Sequence, residues 1–368
     1  MRPTVATIHL DRLYENVQWI RRQLNPRVNM MAVVKANGYG HGAGPVAHSA
    51  LAAGAQSLGV AFVEEGIQLR GLGISAPILV LGQIPQEQIA DAIEHDLDIV
   101  VCDPLTFDYA VQQGHLWNKP VRMHLKIDTG MGRIGVVADR FDRQWVDRLR
   151  NSSIIFQGIM THFANADGDD MSATTEQVRR FLDVMEMCRQ NGVEPRWVHG
   201  ANSAAALRMP GTQFNLVRVG IAMYGLQAYG QMPQNLRPVL ELTSQILFLK
   251  EVGKGFKIGY GSTYVTSKPM KIATIPIGYA DGYRRGLSNR ASVLIRGCKY
   301  PVVGSISMDQ MTVALGIDDP VAVGDAVVLI GQQDDDAISA DQLACLVNTI
   351  GYEIVTGLSP RIPRVYSN

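Results

Sequence analysis

Met30 to Gly42 read MMAVVKANGYGHG. The apolar run Met30-Met31-Ala32-Val33-Val34 stops at Lys35, and small or turn-forming residues follow: Ala36, Asn37, Gly38, Gly40 and Gly42. The pattern predicts a buried strand that delivers one lysine to its carboxyl end, with a tight loop after it. A lysine so placed is partly desolvated, which favours the neutral amine. That is the nucleophilic and basic form a Schiff-base lysine needs. A surface lysine after an edge strand fits this segment equally well, and the rest of the chain separates the two readings.

From residue 28 to about residue 230, short apolar runs alternate with helical stretches. The runs lie near 30–34, 57–62, 77–81, 98–102, 121–127, 154–161, 196–199 and 215–219. Asp139 to Arg150 is amphipathic, with Phe141, Trp145, Val146 and Leu149 at helical spacing. Thr174 to Asn191 is another such segment, with Val178, Phe181, Leu182, Met185 and Cys188 on one face and Thr174 as its expected cap. Eight strands alternating with helices predict an α/β fold, a (β/α)8 TIM-type barrel of about 200 to 250 residues. A doubly wound open sheet is the alternative; it usually has fewer strands and an early GxGxxG, which is absent here.

Beyond about residue 237 the pattern changes. Leu242–Leu249, Lys271–Ile277, Ala291–Ile295, Tyr300–Ile306, Met311–Leu315 and Ala326–Ile330 are strand-like, and Gly and Pro separate them. One helix is expected near Ser339–Ile350, capped by Ser339. The expected division is a barrel over 1–237 and a mostly β domain over 238–368. An early strand, Val5 to Ile8, precedes a helix at Asp11–Leu24 and fits either domain.

Composition bounds the function. The length, 368 residues, exceeds the usual size of one core, and 46% of residues are hydrophobic. With 34 basic and 34 acidic residues the formal net charge is zero, so a nucleic-acid partner is not expected. No apolar run approaches the roughly 20 residues of a membrane span. The amino terminus, MRPTVATIHLDRL, lacks an apolar signal core, so a cytoplasmic protein is expected. Cys102, Cys188, Cys298 and Cys345 are scattered in apolar contexts and are expected to be buried, reduced thiols. No HExxH or EF-hand pattern is present, and no metal is expected.

The notable polar residues fall at the strand ends. Lys35 ends strand one. Lys126, Asp128 and Arg133 lie within and just beyond strand five, in LKIDTGMGRIG; His162 ends strand six; His199, Asn202 and Ser203 follow strand seven; Arg218 and Gly220 end strand eight. Carboxyl ends of barrel strands are where such folds place active sites. The loops after strands seven and eight commonly bind phosphate, and here Ser203 offers a hydroxyl while Gly220 and Ile221 offer amides. A lysine on strand one facing that phosphate site suggests pyridoxal phosphate; for Ser203 an ordinary helix cap is the alternative. An arginine at the cofactor's pyridine nitrogen can only donate, which leaves that nitrogen unprotonated and the ring a weaker electron sink. Simple proton exchange suits such a ring better than transamination or decarboxylation. A salt bridge at the barrel rim is the alternative for Arg218.

Taken together, AVVKANGYGHG, LKIDTGMGRIG, THFANAD, HGANSAA, RVGIAMYG, IGYGSTY, PIGYADGYRR and SISMDQM resemble the alanine racemase family, over about residues 4 to 365. The resemblance implies pyridoxal phosphate as cofactor and alanine as substrate. It implies that Lys35 bonds the cofactor and handles the α-proton of the D-enantiomer. Tyr260 resembles the opposing base, for the L-enantiomer. His162 and His199, linked with Arg218, resemble the network that tunes the tyrosine; a buried core histidine is the alternative for each. The family forms homodimers with shared active sites, in which Tyr260, Tyr279 and Met308 enter the partner's barrel. Arg133 resembles the group that binds the substrate carboxylate, and Lys126 the lysine that is often carbamylated to position it. Tyr39, Ser203, Gly220, Ile221 and Tyr352, with Asn202 assisting, resemble the cofactor's phosphate cradle.

Many family members have Ala where this chain has Gly38, and Pro where it has Val219; neither change removes a reacting group. Tyr352 favours alanine over serine, because serine-preferring relatives carry a smaller polar residue there. A broad-specificity or serine/alanine racemase is the alternative. The implied physiological role is supply of D-alanine for cell-wall precursors.

Overall fold

The structure is a computed structural model that describes residues 2–150, 154–230, 233 and 235–367. Eight parallel strands form the first layer: Asn29–Val33, Ser57–Val60, Ile78–Gln83, Leu97–Val101, Val121–Asp128, Ile154–Met160, Trp197–His199 and Leu216–Val219. Strands one to seven pair each with the next, and strand eight pairs with strand one, Val219 opposite Ala32. Strands seven and eight form no ladder; they are tied by the Arg218 amide, which donates to the Ala201 carbonyl at 3.0 Å. The result is the nearly closed barrel that the alternating runs predict.

The strands read as unbroken apolar runs because both faces are covered. Leu97–Val101 is buried at every position. Met31, Leu79, Val100, Met160 and Leu216 meet inside the barrel, while the opposite strand faces pack on the surrounding helices. Strand five, VRMHLKID, breaks this pattern. Its Met123, Leu125 and Ile127 join the outer core, and the alternate positions Arg122, His124, Lys126 and Asp128 therefore face the opposite way.

The second layer is a mostly antiparallel sheet built largely from residues after 239. Val5–His9 belongs to it, pairing antiparallel with Leu240–Gln245 and parallel with Arg364–Ser367. The expected strand Leu242–Leu249 is two strands, Leu240–Gln245 and Phe248–Val252. Ser339 caps the helix Ala340–Leu346 reciprocally with Gln342, and a further helix, Gly351–Thr356, carries Tyr352.

Three local expectations are corrected. Thr174 does not cap its helix, which begins at Ser172, where the Asp170 carboxylate accepts from the Ser172 amide at 2.8 Å; Thr174 lies inside and is buried. The helix expected over 139–150 is shorter, Arg143–Leu149, because Asp142 caps it and a single 3-10 turn precedes it. Of the four free cysteines, Cys188 is buried and Cys102 half-buried, but Cys298 and Cys345 are exposed, because a short hairpin strand and a helix turn them to the surface.

Candidate active site

Lys35, Lys126, Arg133, His162, Arg218 and Tyr352 line one cavity of about 330 Å³ at the carboxyl ends of the strands. After Lys35 the backbone is unusual. Ala36, Asn37, Gly38 and Tyr39 are all left-handed, with φ between 52° and 61°. Left-handed backbone costs L-residues about 1–2 kcal/mol each. The surroundings hold it. The Glu65 carboxylate accepts from the Ala36 amide at 2.6 Å, Asn37 Oδ1 accepts from the Ala43 amide at 2.9 Å, and the buried His41 ring bonds the Gly38 and Tyr39 carbonyls. This turn tucks Tyr39 under the cavity. Glycine at 38 suits this turn, because glycine alone takes left-handed backbone without a Cβ penalty.

Burial lowers the Lys35 ammonium below its ordinary value, helped by Arg133 and Arg218. Burial holds Lys126 well below its ordinary value, and Arg218 adds to it. Among the described residues no carboxylate forms an ion pair with Lys35, Lys126, Arg133 or Arg218. Asp128 instead accepts from the Gly130 and Gly132 amides, folding the loop that returns Arg133 to the cavity.

Arg218 is buried, and burial brings it down to about 10, so it remains a cation near neutrality. Its Nη1 donates to His199 Nδ1 at 3.0 Å, and its Nη2 to His162 Nδ1 at 3.1 Å and to the Thr161 carbonyl at 2.8 Å. Both terminal nitrogens are thereby committed, and Nε–H has no partner among the described residues. Guanidinium only donates, so both histidines accept at Nδ1 and carry their proton on Nε2. Burial, with Arg218 next, pushes His162 down to about 2 and His199 far below its ordinary value.

At the opposite end of the cavity, Ser203 Oγ accepts from the Gly220 amide at 3.0 Å, leaving its own hydrogen free. The cap of helix Ser203–Arg208 is Asn202, whose side chain accepts from Ala205, so Ser203 is not the cap. The Ile221 amide and the Tyr39 and Tyr352 hydroxyls have no partner among the described residues. The two tyrosine rings are 6.0 Å apart, and a Cβ on Gly220 would sit 2.6 Å from the Tyr39 hydroxyl. Four unspent donors around a glycine that must lack a side chain make a phosphate-sized cradle.

Tyr260, Tyr279 and Met308 do not line this cavity. They are 75%, 42% and 52% exposed, on the β domain. The Tyr279 amide donates to the Ser307 carbonyl, and Ser305 Oγ to the Tyr260 carbonyl, so both tyrosines are tied to the segment that carries Met308. Two residues outside the sequence reading also serve the site. Gln177 donates to the His162 carbonyl at 3.0 Å and accepts from the Ala164 amide, bracing the end of strand six. His124 lies 2.9 Å from His199. Its signal was the alternation in VRMHLKID, which puts it on the same strand face as Lys126.

His41 and His199 are buried and His162 is half-buried; all three are held neutral, with His41 lowered by burial to about 4. Unfolded, each takes up a proton below pH of about 6.5. The unfolded state then binds more protons, so stability is full above that pH and falls as pH drops towards 4. At pH 5 the expected loss is about 2 kcal/mol per histidine, roughly 6 in all. Urea midpoints at pH 7.5 and 5.0 test this; equal midpoints would mean that the three rings titrate alike in both states.

A barrel whose strand ends gather four basic side chains and an anion cradle, joined to a β domain, defines an enzyme of the barrel-plus-β class. Residues 8–228 match the family model "Alanine racemase, N-terminal domain" and residues 239–366 "Alanine racemase, C-terminal domain". The alanine racemase of Symbiobacterium thermophilum is 44% identical over 368 residues, covering 100% of this chain and 97% of that protein. That of Carboxydothermus hydrogenoformans is 41% identical, covering 100% of both. The crystal structure of alanine racemase from Bacillus anthracis with bound L-Ala-P superposes with a TM-score of 0.93 at 40% identity, covering 100% of this chain and 96% of that one. The chain belongs to the alanine racemase family of isomerases. Among the described residues no helix is long and apolar enough to cross a membrane.

Proposed function

We propose that the chain interconverts L-alanine and D-alanine with pyridoxal phosphate held in the strand-end cavity. The convergence of Lys35, Lys126, Arg133 and Arg218 on one cavity, unpaired with any carboxylate among the described residues, carries this reading, because it suits a doubly charged phosphate and a substrate carboxylate together. The residues fit the cofactor: Ser203, Ile221, Tyr39 and Tyr352 would hold its phosphate, and the uncommitted Arg218 Nε–H its ring nitrogen. When bound, the cofactor supplies a carbonyl carbon for amines and a ring that withdraws electrons from the substrate Cα.

The chain's own groups then move the proton. Lys35, partly neutral because it is desolvated, takes or returns it on one face of the substrate. Tyr260 of the partner subunit does so on the other. His162 presents Nε2–H to the cavity and can donate to that phenolic oxygen, which favours the phenolate. Arg133 holds the substrate carboxylate. The exposed patch of Tyr260, Tyr279 and Met308 supports a homodimer in which each β domain completes the other subunit's site. Supply of D-alanine for cell-wall precursors, and a cytoplasmic location, extend the reading on family grounds.

The deciding experiment follows D-alanine from L-alanine by chiral chromatography, with L-serine, L-lysine and L-arginine in parallel. Fast turnover of alanine alone is expected. Comparable turnover of the larger substrates would replace this reading with a broad-specificity racemase.

We also propose that Lys126 is carbamylated. Its neutral amine would add carbon dioxide and release a proton, giving an anion among Arg133 and Arg218. After equilibration with 13C-bicarbonate, a carbamate resonance is expected that is missing in Lys126→Ala. Identical spectra would refute the modification.

A further inference from the structure

His124 is buried inside the barrel, and nothing in the proton chemistry above employs it. Its Nδ1 lies 2.9 Å from His199 Nε2, with the two rings nearly perpendicular at 88°. On the far side of His199, Arg218 donates to Nδ1 at 3.0 Å. The direction of every bond in this line follows from Arg218. His199 Nδ1 accepts, so its proton sits on Nε2 and is donated to His124 Nδ1. The proton of a neutral His124 then sits on Nε2, which is buried without a hydrogen-bond partner among the described residues. It faces Asp98 Oδ2 at 3.6 Å, and His124 and Asp98 both line a second cavity, of about 240 Å³.

A separate feature makes room for this line. A Cβ on Gly158, in strand six, would lie 2.4 Å from His124 Nδ1 and 2.8 Å from the ring's next carbon. Gly158 is not left-handed, so its backbone does not require glycine. The space taken by the His124 ring does, together with the Trp197 carbonyl, 2.9 Å from the same Cβ.

We propose that His124 is a positioning residue: by accepting the His199 Nε2 proton it holds His199 in the tautomer that accepts from Arg218, and so orients the guanidinium in the cavity. The tautomer follows from geometry alone; its effect on the cofactor rests on the reading given above. Without His124, the His199 Nε2–H is buried with no acceptor, and the ring is free to turn away from Arg218.

The test uses holoenzyme carrying 15N-histidine, with His199 assigned by its loss in His199→Gln. In wild type, His199 should show a bare Nδ1 and a protonated Nε2. His124→Gln, whose amide oxygen can accept in the same place, should keep that signature. His124→Leu should lose it and weaken pyridoxal phosphate binding by about tenfold, the value of one buried hydrogen bond. Gly158→Ala, which crowds the ring (and the Trp197 carbonyl) without removing the imidazole, should act like His124→Leu and serves if that variant fails to fold. A protonated His199 Nδ1 in wild type, or a His124→Leu or Gly158→Ala enzyme with the wild-type signature and affinity, would overturn the proposal. The nitrogen shifts are read without substrate, so this failure and a failure of the alanine assay are separate results.

Discussion

Lys35→Ala is expected to lower racemisation of alanine in both directions by at least about 10³-fold, the most damaging single change in the chain. On the proposed reading two functions leave together: the amine that bonds the cofactor and one of the two proton carriers. The cavity itself should survive. Lys35 is half-buried with its charged form disfavoured, and it makes no ion pair among the described residues whose loss would strand a partner. The measurement is borohydride reduction followed by peptide mass analysis, beside the chiral assay. Wild type should gain a reduced pyridoxyl group on the peptide carrying Lys35, and Lys35→Ala should gain none. Modification of another lysine at wild-type stoichiometry, with activity retained, would remove Lys35 from its role.

Tyr260→Phe is expected to cost about 10²- to 10⁴-fold, the usual worth of one general base, and to fall on the exchange of the L-enantiomer's α-proton. The change removes one oxygen from a residue that is 75% exposed in the single chain, so stability should hold within about 0.5 kcal/mol. Deuterium wash-in separates the two faces. D-alanine should still exchange through Lys35, whereas exchange from L-alanine should collapse. Wild-type wash-in from L-alanine would show that the phenol carries no proton. Mixing Lys35→Ala with Tyr260→Phe chains adds a test of the shared site. If the tyrosine acts across the interface, one site in such a heterodimer has both bases and activity should reappear; continued inactivity of a verified heterodimer would place Tyr260 and Lys35 in the same subunit's site.

Much of this arrangement was legible in the residues. Lys35, His162 and Arg218 sit where apolar strands end, and strand ends in a closed barrel converge on one mouth whatever the details of packing. The eight apolar runs matched the eight strands within a few residues because barrel strands are covered on both faces and so announce themselves by composition. Helix caps were less legible. Thr174 has the right chemistry for a cap, but Asp170, just ahead of the helix, binds its first amide, and local propensity could not choose between them. The exposed Cys298 and Cys345 were misread because an apolar neighbourhood in sequence says nothing of which side of a hairpin or helix a thiol takes.

The sequence by itself determined the periodic structure and which chemistry-bearing residues stand at strand ends, since both depend on neighbours a few positions apart. Only the tertiary structure decided the proton positions. His199 and His124 are 75 residues apart, and Arg218 and His162 are 56, so their tautomers exist only once the barrel brings them into contact. The left-handed turn over Ala36 to Tyr39 is of the same kind, because Glu65 and the His41 ring must be in place to hold a backbone that L-residues avoid. So is the exposure of Tyr260, which does not share a cavity with Lys35, because a local pattern carries no information about which side chains the fold leaves at its surface.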